Sequence, residues 1–149
     1  KCIDETAKAM PNVRTFLIGS DADRAVGDRL ASLCDTVKPL NLAGKTTFFG
    51  LAALLSRAAA MFTVDSGPMH LAAAIGVPCV ALFGATDNVL TGPYGPEGFH
   101  KIMHSNCEKG PCFRHECPLG GNCADHASVQ ETVNAIIEQI NRQTIGGKQ

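Results

Sequence analysis

The sequence predicts an α/β fold, a Rossmann-like parallel sheet with flanking helices, and three observations carry that prediction. Short apolar runs recur at residues 13–18, 60–64 and 79–83. Stretches with helical periodicity alternate with them, which is the signature of strands joined by crossover helices. Each run also gives way to a glycine-bearing turn, as connections at the carboxyl ends of strands commonly do.

Composition sets the outer bounds. A chain of 149 residues is long enough for one domain with a hydrophobic core. With 45% apolar and 18% charged residues it is too apolar for disorder. A net charge of −1 leaves no electrostatic footprint for nucleic acid and no polybasic membrane patch. The longest apolar runs, 71–75 and 77–83, are too short for a membrane span, and no signal peptide is visible. The chain opens on Lys1, and residues 1–10 read as the latter part of a helix, so a longer parent protein is expected.

In order along the chain, residues 13–18 (VRTFLI) predict a strand, followed by the turn Gly19-Ser20-Asp21. A helix over 22–33 is expected to bury Ala25, Leu30 and Leu33. Residues 37–40 read as a short strand, with Pro39 favouring a sheet edge or strand end. Thr46 or Thr47 caps the next helix, whose apolar face comes from Phe49, Ala52, Ala53, Leu54 and Leu55. Residues 60–64 predict a second buried strand. An almost wholly apolar helix follows over 69–75 and is expected to be buried, with Gly76 ending it. The strand Cys79–Phe83 comes next. Residues 84–99 form a long glycine- and proline-bearing loop of the kind that is usually functional or mobile. Residues 100–104 read as one more short strand. Ser128-x-x-Glu131 is a capping box that opens a last helix, with Val129, Val133, Ile136, Ile137 and Ile140 on one face. From Thr144 the tail is polar and expected to fray.

The chemistry concentrates in residues 63–70 (TVDSGPMH). A strand ends at Asp65, the chain turns through Ser66 and Gly67, and Pro68 stands where a first helical residue belongs. Proline suits that place because its fixed φ is helical and its missing N–H would have had no partner. The N–H groups of Met69 and His70 are then expected to face outward, unpaired, at the carboxyl end of a parallel sheet. A phosphate there would gain those donors and the helix dipole, roughly 0.3–2 kcal/mol per charge–dipole contact. On the residues alone an ordinary capped turn, with Asp65 or Ser66 accepting from the backbone, is an equal alternative. His70 by itself would more often be a surface or structural histidine.

Residues 65–78 (DSGPMHLAAAIGVP), continuing through 80–87 (VALFGATD), resemble the defining motif of glycosyltransferase family nine, typified by the lipopolysaccharide heptosyltransferases. Residues 41–46 (NLAGKT) and 91–96 (TGPYGP) are similar to two further family stretches in the same order, so the resemblance covers nearly the whole chain. It implies the C-terminal half of a GT-B glycosyltransferase, in which two Rossmann-like domains face each other across a cleft. The C-terminal domain of that family binds the nucleotide-sugar donor; the N-terminal one binds the acceptor and supplies the catalytic base. The resemblance therefore places Asp65, Ser66, Gly67, Met69 and His70 around the donor diphosphate and sugar. It also places Thr46 near the adenine and Asp21 near the ribose hydroxyls, with Asp23 as the alternative to Asp21. An acidic residue after a strand-to-helix turn accepts well from ribose hydroxyls, and equally serves as an ordinary helix-start aspartate.

By this resemblance the partners are ADP-heptose or a related nucleotide sugar and, through the acceptor domain, the lipopolysaccharide core. Neither nucleic acid nor a cofactor is expected, and no catalytic residue falls within these residues. The location is cytoplasmic, peripheral at the inner face of the inner membrane. The sequence departs from the family pattern in three ways. Ser66 stands where threonine is also common, and Ala85 replaces a frequent proline. The acceptor domain and the first strand of the donor domain, with its basic residue, are not represented. The isolated chain is expected to be inactive, with a sheet one strand short that exposes an edge or swaps into a dimer. The alternative functions are a nucleotide- or nucleotide-sugar-binding module without transferase activity and a cysteine-rich, metal-bound interaction domain.

The seven cysteines divide in two groups. Cys2, Cys34 and Cys79 lie singly in apolar patterns, as small hydrophobes. Cys107, Cys112, Cys117 and Cys123 cluster, with His104, His115 and His126 nearby, and together could supply four thiolates to a metal. Their spacing is not that of paired CxxC ribbons, and donor binding requires no metal, so none is expected.

Overall fold

The computed structural model describes residues 1–105, 107–114, 116–117 and 119–145. The chain forms two compact units, Lys1–Ala53 and Leu54–Gln149. The reason is in the sheets: the strands pair into a two-stranded and a separate three-stranded parallel sheet.

In the first unit, helix α1 (Cys2–Ala9) is tied down by Asp4, whose Oδ1 accepts from the backbone N–H of Asp35 at 3.0 Å and of Thr36 at 2.7 Å. Those bonds, led by the one from Thr36, hold the Asp4 carboxyl below its usual range despite its desolvation. Strand β1 (Phe16–Leu17) pairs with β2 (Leu40–Asn41), Phe16 opposite Leu40. Both strands are shorter than, or shifted from, their expected spans of 13–18 and 37–40. Helix α2 (Arg24–Ser32) follows a single 3₁₀ turn, Asp21–Asp23. Its position is fixed by Asn41, whose Nδ2 donates to Arg24 O and Asp28 Oδ1, and by Gly27, where a Cβ would collide with the Asn41 amide. The expected burial of Ala25, Leu30 and Leu33 is corrected: all three are exposed, Leu33 at 66%. Strands of two residues offer too little sheet for a helix face to cover.

Helix α3 (Phe48–Leu55) is capped by Thr47, whose Oγ1 accepts from Gly50 N at 3.1 Å, which decides between the two threonines. Leu55 is buried, but Phe49 is 81% exposed and stands edge-on to Phe48 instead of joining an apolar face.

The second unit is built on strands β3 (Met61–Val64), β4 (Cys79–Phe83) and β5 (Lys101–His104), ordered β3-β4-β5 and all parallel. Met61 faces Cys79 and Phe83 faces His104. Strand β4 lies in the middle and is buried throughout, matching its unbroken apolar run. Strand β3 is an edge strand and only half buried: Met61 and Thr63 point inward, while Phe62 stays 47% exposed. Helix α4 (Gly67–Ala74) packs on β3 and β4 through Met69 and Ala72, both fully buried. The expectation of an all-round buried helix is corrected, because His70, Ala74 and Ile75 face outward. Gly76, at φ +75°, ends α4 in a Schellman motif: its N–H donates to Ala73 O and the Val77 N–H to Ala72 O.

Within the loop after β4 lies a one-turn helix, α5 (Asn88–Thr91), capped by Asp87 through Val89 N at 2.9 Å. His100 closes this loop onto β4. Its Nδ1 accepts from Cys79 N at 3.1 Å, which leaves Nε2 to donate to Tyr94 O. Burial holds the His100 pKa below its usual value, with the bond to Tyr94 opposing. Cys34 and Cys79 are buried as expected, and burial pushes the Cys79 thiol up to about 11. Helix α6 (Val129–Ile145) packs on β4 and β5. Ser128 Oγ accepts from Glu131 N at 3.3 Å, and Val133 and Ile140 are buried. Val129 is exposed, and the helix continues past Thr144; residues 146–149 of the expected tail lie outside the described residues.

Candidate functional site

Asp65 directly follows β3, where the edge of the sheet and the first turn of α4 meet. Its side chain is 20% exposed, and its Oδ2 accepts from Thr91 Oγ1 at 2.8 Å. The Thr91 hydroxyl also reaches Asp87 O at 3.0 Å. The last residue of α5 therefore holds the carboxylate in place while leaving it accessible. His70, one turn into α4 and 51% exposed, brings Nε2 to 3.9 Å from Asp65 Oδ1, close enough to share a ligand atom but too far for a hydrogen bond.

The start of α4 is not capped by its own side chains. Ser66 is the N-cap in extended conformation without a side-chain cap bond, and its Oγ instead meets Thr63 Oγ1 at 3.2 Å. The Asp65 carboxylate is engaged by Thr91, not by the helix backbone. The capped-turn alternative thus lacks the bond that defines it. One expectation needs correction: the N–H groups of Met69 and His70 are not free, because both turn to Ser66 O, at 3.1 and 3.4 Å. Pro68 contributes no donor. What the helix start offers an anion is the dipole, the Gly67 backbone, the Ser66 hydroxyl and the His70 ring. A Cβ built at Gly67 meets nothing within 4 Å, so the approach to this backbone is open.

Asp65, Ser66, Gly67 and His70 are brought together as the sequence predicts. Met69 is adjacent in the chain, but its side chain is fully buried beneath the turn and only its backbone is at hand. Thr91 is the residue that sequence reasoning missed. It lay in the 91–96 stretch, and only the fold brings a residue 26 positions away onto Asp65.

Thr46, Asp21 and Asp23 belong to the first unit. There the turns after β1 and β2 meet: Gly44 N donates to Gly19 O at 3.0 Å, and Gly44, at φ +68°, lies so close to Asp21 that a Cβ would strike its backbone. Asp23 is occupied as a cap, its Oδ2 accepting from Ser20 N at 2.7 Å and Ser20 Oγ at 2.6 Å. Asp21 is exposed and, among the described residues, its carboxylate pairs with Arg24 alone, at 2.8 Å. Of the two acids, Asp21 has the freer carboxylate. Thr46 is half-buried beside this turn.

Cys107, Cys112, Cys117 and Cys123 line one cavity of about 320 Å³, with Gly84 and Ala85 from the end of β4. Among the described residues, no three metal-binding side chains converge closely enough to hold a single ion. Backbone N–H groups, that of Gly121 first and then those of Leu119 and Gly120, hold the Cys117 thiol below its usual range. Burial, then the neighbouring Cys117, Cys112 and Cys107, push the Cys123 thiol up. His104 lies on β5; His115 and the side chain of His126 lie outside the described residues.

The second unit is a parallel α/β sheet with an open helix start at the carboxyl ends of its strands, the side on which open parallel sheets commonly bind ligands. Comparison with known proteins makes the family explicit. The family model for glycosyltransferase family 9 (heptosyltransferase) matches residues 5–122, and the chain belongs to that family. Lipopolysaccharide heptosyltransferase 3 of Escherichia coli (strain K12) is 43% identical over 94 residues, covering 63% of this chain and 27% of the relative. Lipopolysaccharide heptosyltransferase 1 of Pseudomonas aeruginosa is 36% identical over 99 residues, covering 66% of this chain and 26% of the relative. Among solved structures, the family 9 glycosyl transferase from Veillonella parvula superimposes with a TM-score of 0.75 at 22% identity, over 95% of this chain and 41% of that one. The E. coli ADP-heptose lipopolysaccharide heptosyltransferase II superimposes at 0.71 with 26% identity, over 94% of this chain and 40% of that one. The chain thus spans about a quarter of those curated relatives and two fifths of those structures.

Proposed function

We propose that this chain is the donor-binding part of a heptosyltransferase that transfers heptose from ADP-heptose to the lipopolysaccharide core. The observation that supports it best is the self-uncapped start of α4 beside Asp65, which Thr91 holds accessible at the carboxyl end of β3. A diphosphate seats against the Gly67 backbone, where the helix dipole and the His70 ring offset its charge. Asp65 accepts from the sugar hydroxyls. Transfer is a single inverting displacement. A carboxylate on the acceptor-binding half of the parent enzyme deprotonates the acceptor hydroxyl, while the groups named here stabilise the departing diphosphate. The parent works in the cytoplasm, at the inner face of the inner membrane; no helix among the described residues is long and apolar enough to cross one.

Because the base belongs to the other half in this scheme, the chain alone binds donor without turning it over. Titration with ADP, followed calorimetrically and by NMR, tests the reading. Weak saturable binding with shifts at Asp65, Gly67 and His70 is expected, with no transfer product from ADP-heptose. Shifts confined to residues 107–123, or turnover by the chain alone, overturn it.

A further inference from the structure

The four clustered cysteines are the largest group of reactive side chains that donor binding does not use. They are spread over 17 positions of sequence, yet the fold brings all four to the wall of one cavity at the carboxyl end of β4. Two of them open the same kind of turn: Gly110 N donates to Cys107 O at 3.0 Å, and Gly120 N to Cys117 O at 3.1 Å. A Cys-x-x-Gly turn of this sort directs following backbone N–H groups back toward the thiol sulfur.

The surroundings are adapted to the cluster as well. Gly84 must be glycine, because a Cβ there would overlap Cβ and Sγ of Cys123. A Cβ at Gly110 would lie 2.9 Å from Gly84 O, so the first turn is seated directly on the strand end. Phe113 N donates to Ala85 O at 2.7 Å, with Phe113 held at φ +53°. The buried Ser105 Oγ, against the same Gly84 position as Cys123, has no hydrogen-bond partner among the described residues. Lys109 and Arg114 also line the cavity. Two cations beside four thiols are what a centre with excess negative charge requires, and a metal bound by four thiolates carries such an excess.

We propose that Cys107, Cys112, Cys117 and Cys123 hold a thiolate-ligated metal centre that pins the 107–123 loop to the carboxyl end of β4. The sequence spacing argued against a metal because it lacks CxxC pairs; the gathering of all four thiols on the wall of one cavity answers that argument. Two sources share this chemistry. An iron–sulfur cluster fits thiols that line a cavity without meeting at a point; a zinc ion would need the four side chains to turn inward from where they stand, because no three metal-binding side chains among the described residues converge on one point. The role is structural: the loop has few apolar anchors, and a centre there fixes the carboxyl end of β4, beside the β3 end at which Asp65 lies.

The test is metal analysis of the full chain purified anaerobically, under reducing conditions and without chelator. About one zinc per chain without visible absorption identifies the single ion; about four irons with sulfide and a broad visible band identify the cluster. Either supports the proposal. Cys112→Ser and Cys117→Ser are expected to lose the metal, and Cys2→Ser to keep it. If the first two variants fail to fold, the wild-type ratio and its fall on chelation, together with the melting temperature, still decide. Wild-type protein without stoichiometric metal, or metal retained in both serine variants, overturns the proposal. Neither result depends on whether ADP binds.

Discussion

Replacing Gly67 with valine separates the fold of the α4 turn from its use. Gly67 is the first residue of α4, outside the left-handed region, and a Cβ at this position meets nothing within 4 Å. Valine is therefore sterically free to take the native backbone. In helices glycine ranks about 0.3–0.5 kcal/mol below valine, so stability should change by no more than about half a kcal/mol. The new methyl groups instead occupy the open space through which a phosphate would reach the backbone. Losing a contact between an anion and a helix start costs roughly 0.3–2 kcal/mol, or about a two- to thirtyfold rise in Kd. Calorimetric titration with ADP, beside a thermal melt, measures both quantities. A variant that melts with wild type and binds ADP as tightly would refute the placement of the diphosphate.

Two further outcomes follow from the bonds described. Thr91→Val removes the hydroxyl that holds Asp65, and should weaken binding of ADP-heptose more than of ADP, with a loss of roughly 0.5–1.5 kcal/mol in stability by denaturant titration; equal weakening for both ligands would place Asp65 away from the sugar. Asp4 has its folded pKa below the ordinary 3.8, so its contribution is present above that value and lost as pH falls through the folded one. Acid titration of Asp4→Asn, followed by circular dichroism, should show less loss of stability below about pH 4 than wild type; identical acid profiles would show that the bonds to Asp35 and Thr36 contribute nothing.

The second unit was more legible in sequence than the first. Cys79–Phe83 is a continuous apolar run because it is a central strand buried on both faces, and such runs signal themselves directly. Gly76 and Pro68 marked the ends of α4 to within a residue or two because their backbone chemistry is local. The first unit misled because VRTFLI has strand composition, yet only Phe16 and Leu17 find a partner strand. Pairing is a tertiary event, and propensity alone does not report it. At the site, Asp65, Ser66, Gly67 and His70 lie in one short segment and could be read together. The hydroxyl of Thr91 and the convergence of four cysteines depend on how distant turns return to the sheet, which no local pattern encodes.

The bond between Thr91 and Asp65 has a consequence for the order of assembly. It joins residues 26 apart, within a stretch from β3 to α5 that is contiguous in sequence. Closing so short a loop costs little chain entropy, and pairing of adjacent parallel strands through one crossover helix is among the more local contacts an α/β protein has. Helix α6 must come from the far end of the chain to cover β4 and β5. The Asp65–Thr91 contact should therefore take its geometry from an early, local folding unit, with the core completed around it afterwards. Substitutions in α6 would then act chiefly on the unfolding rate, while those in 61–91 would slow folding and disturb ligand geometry together.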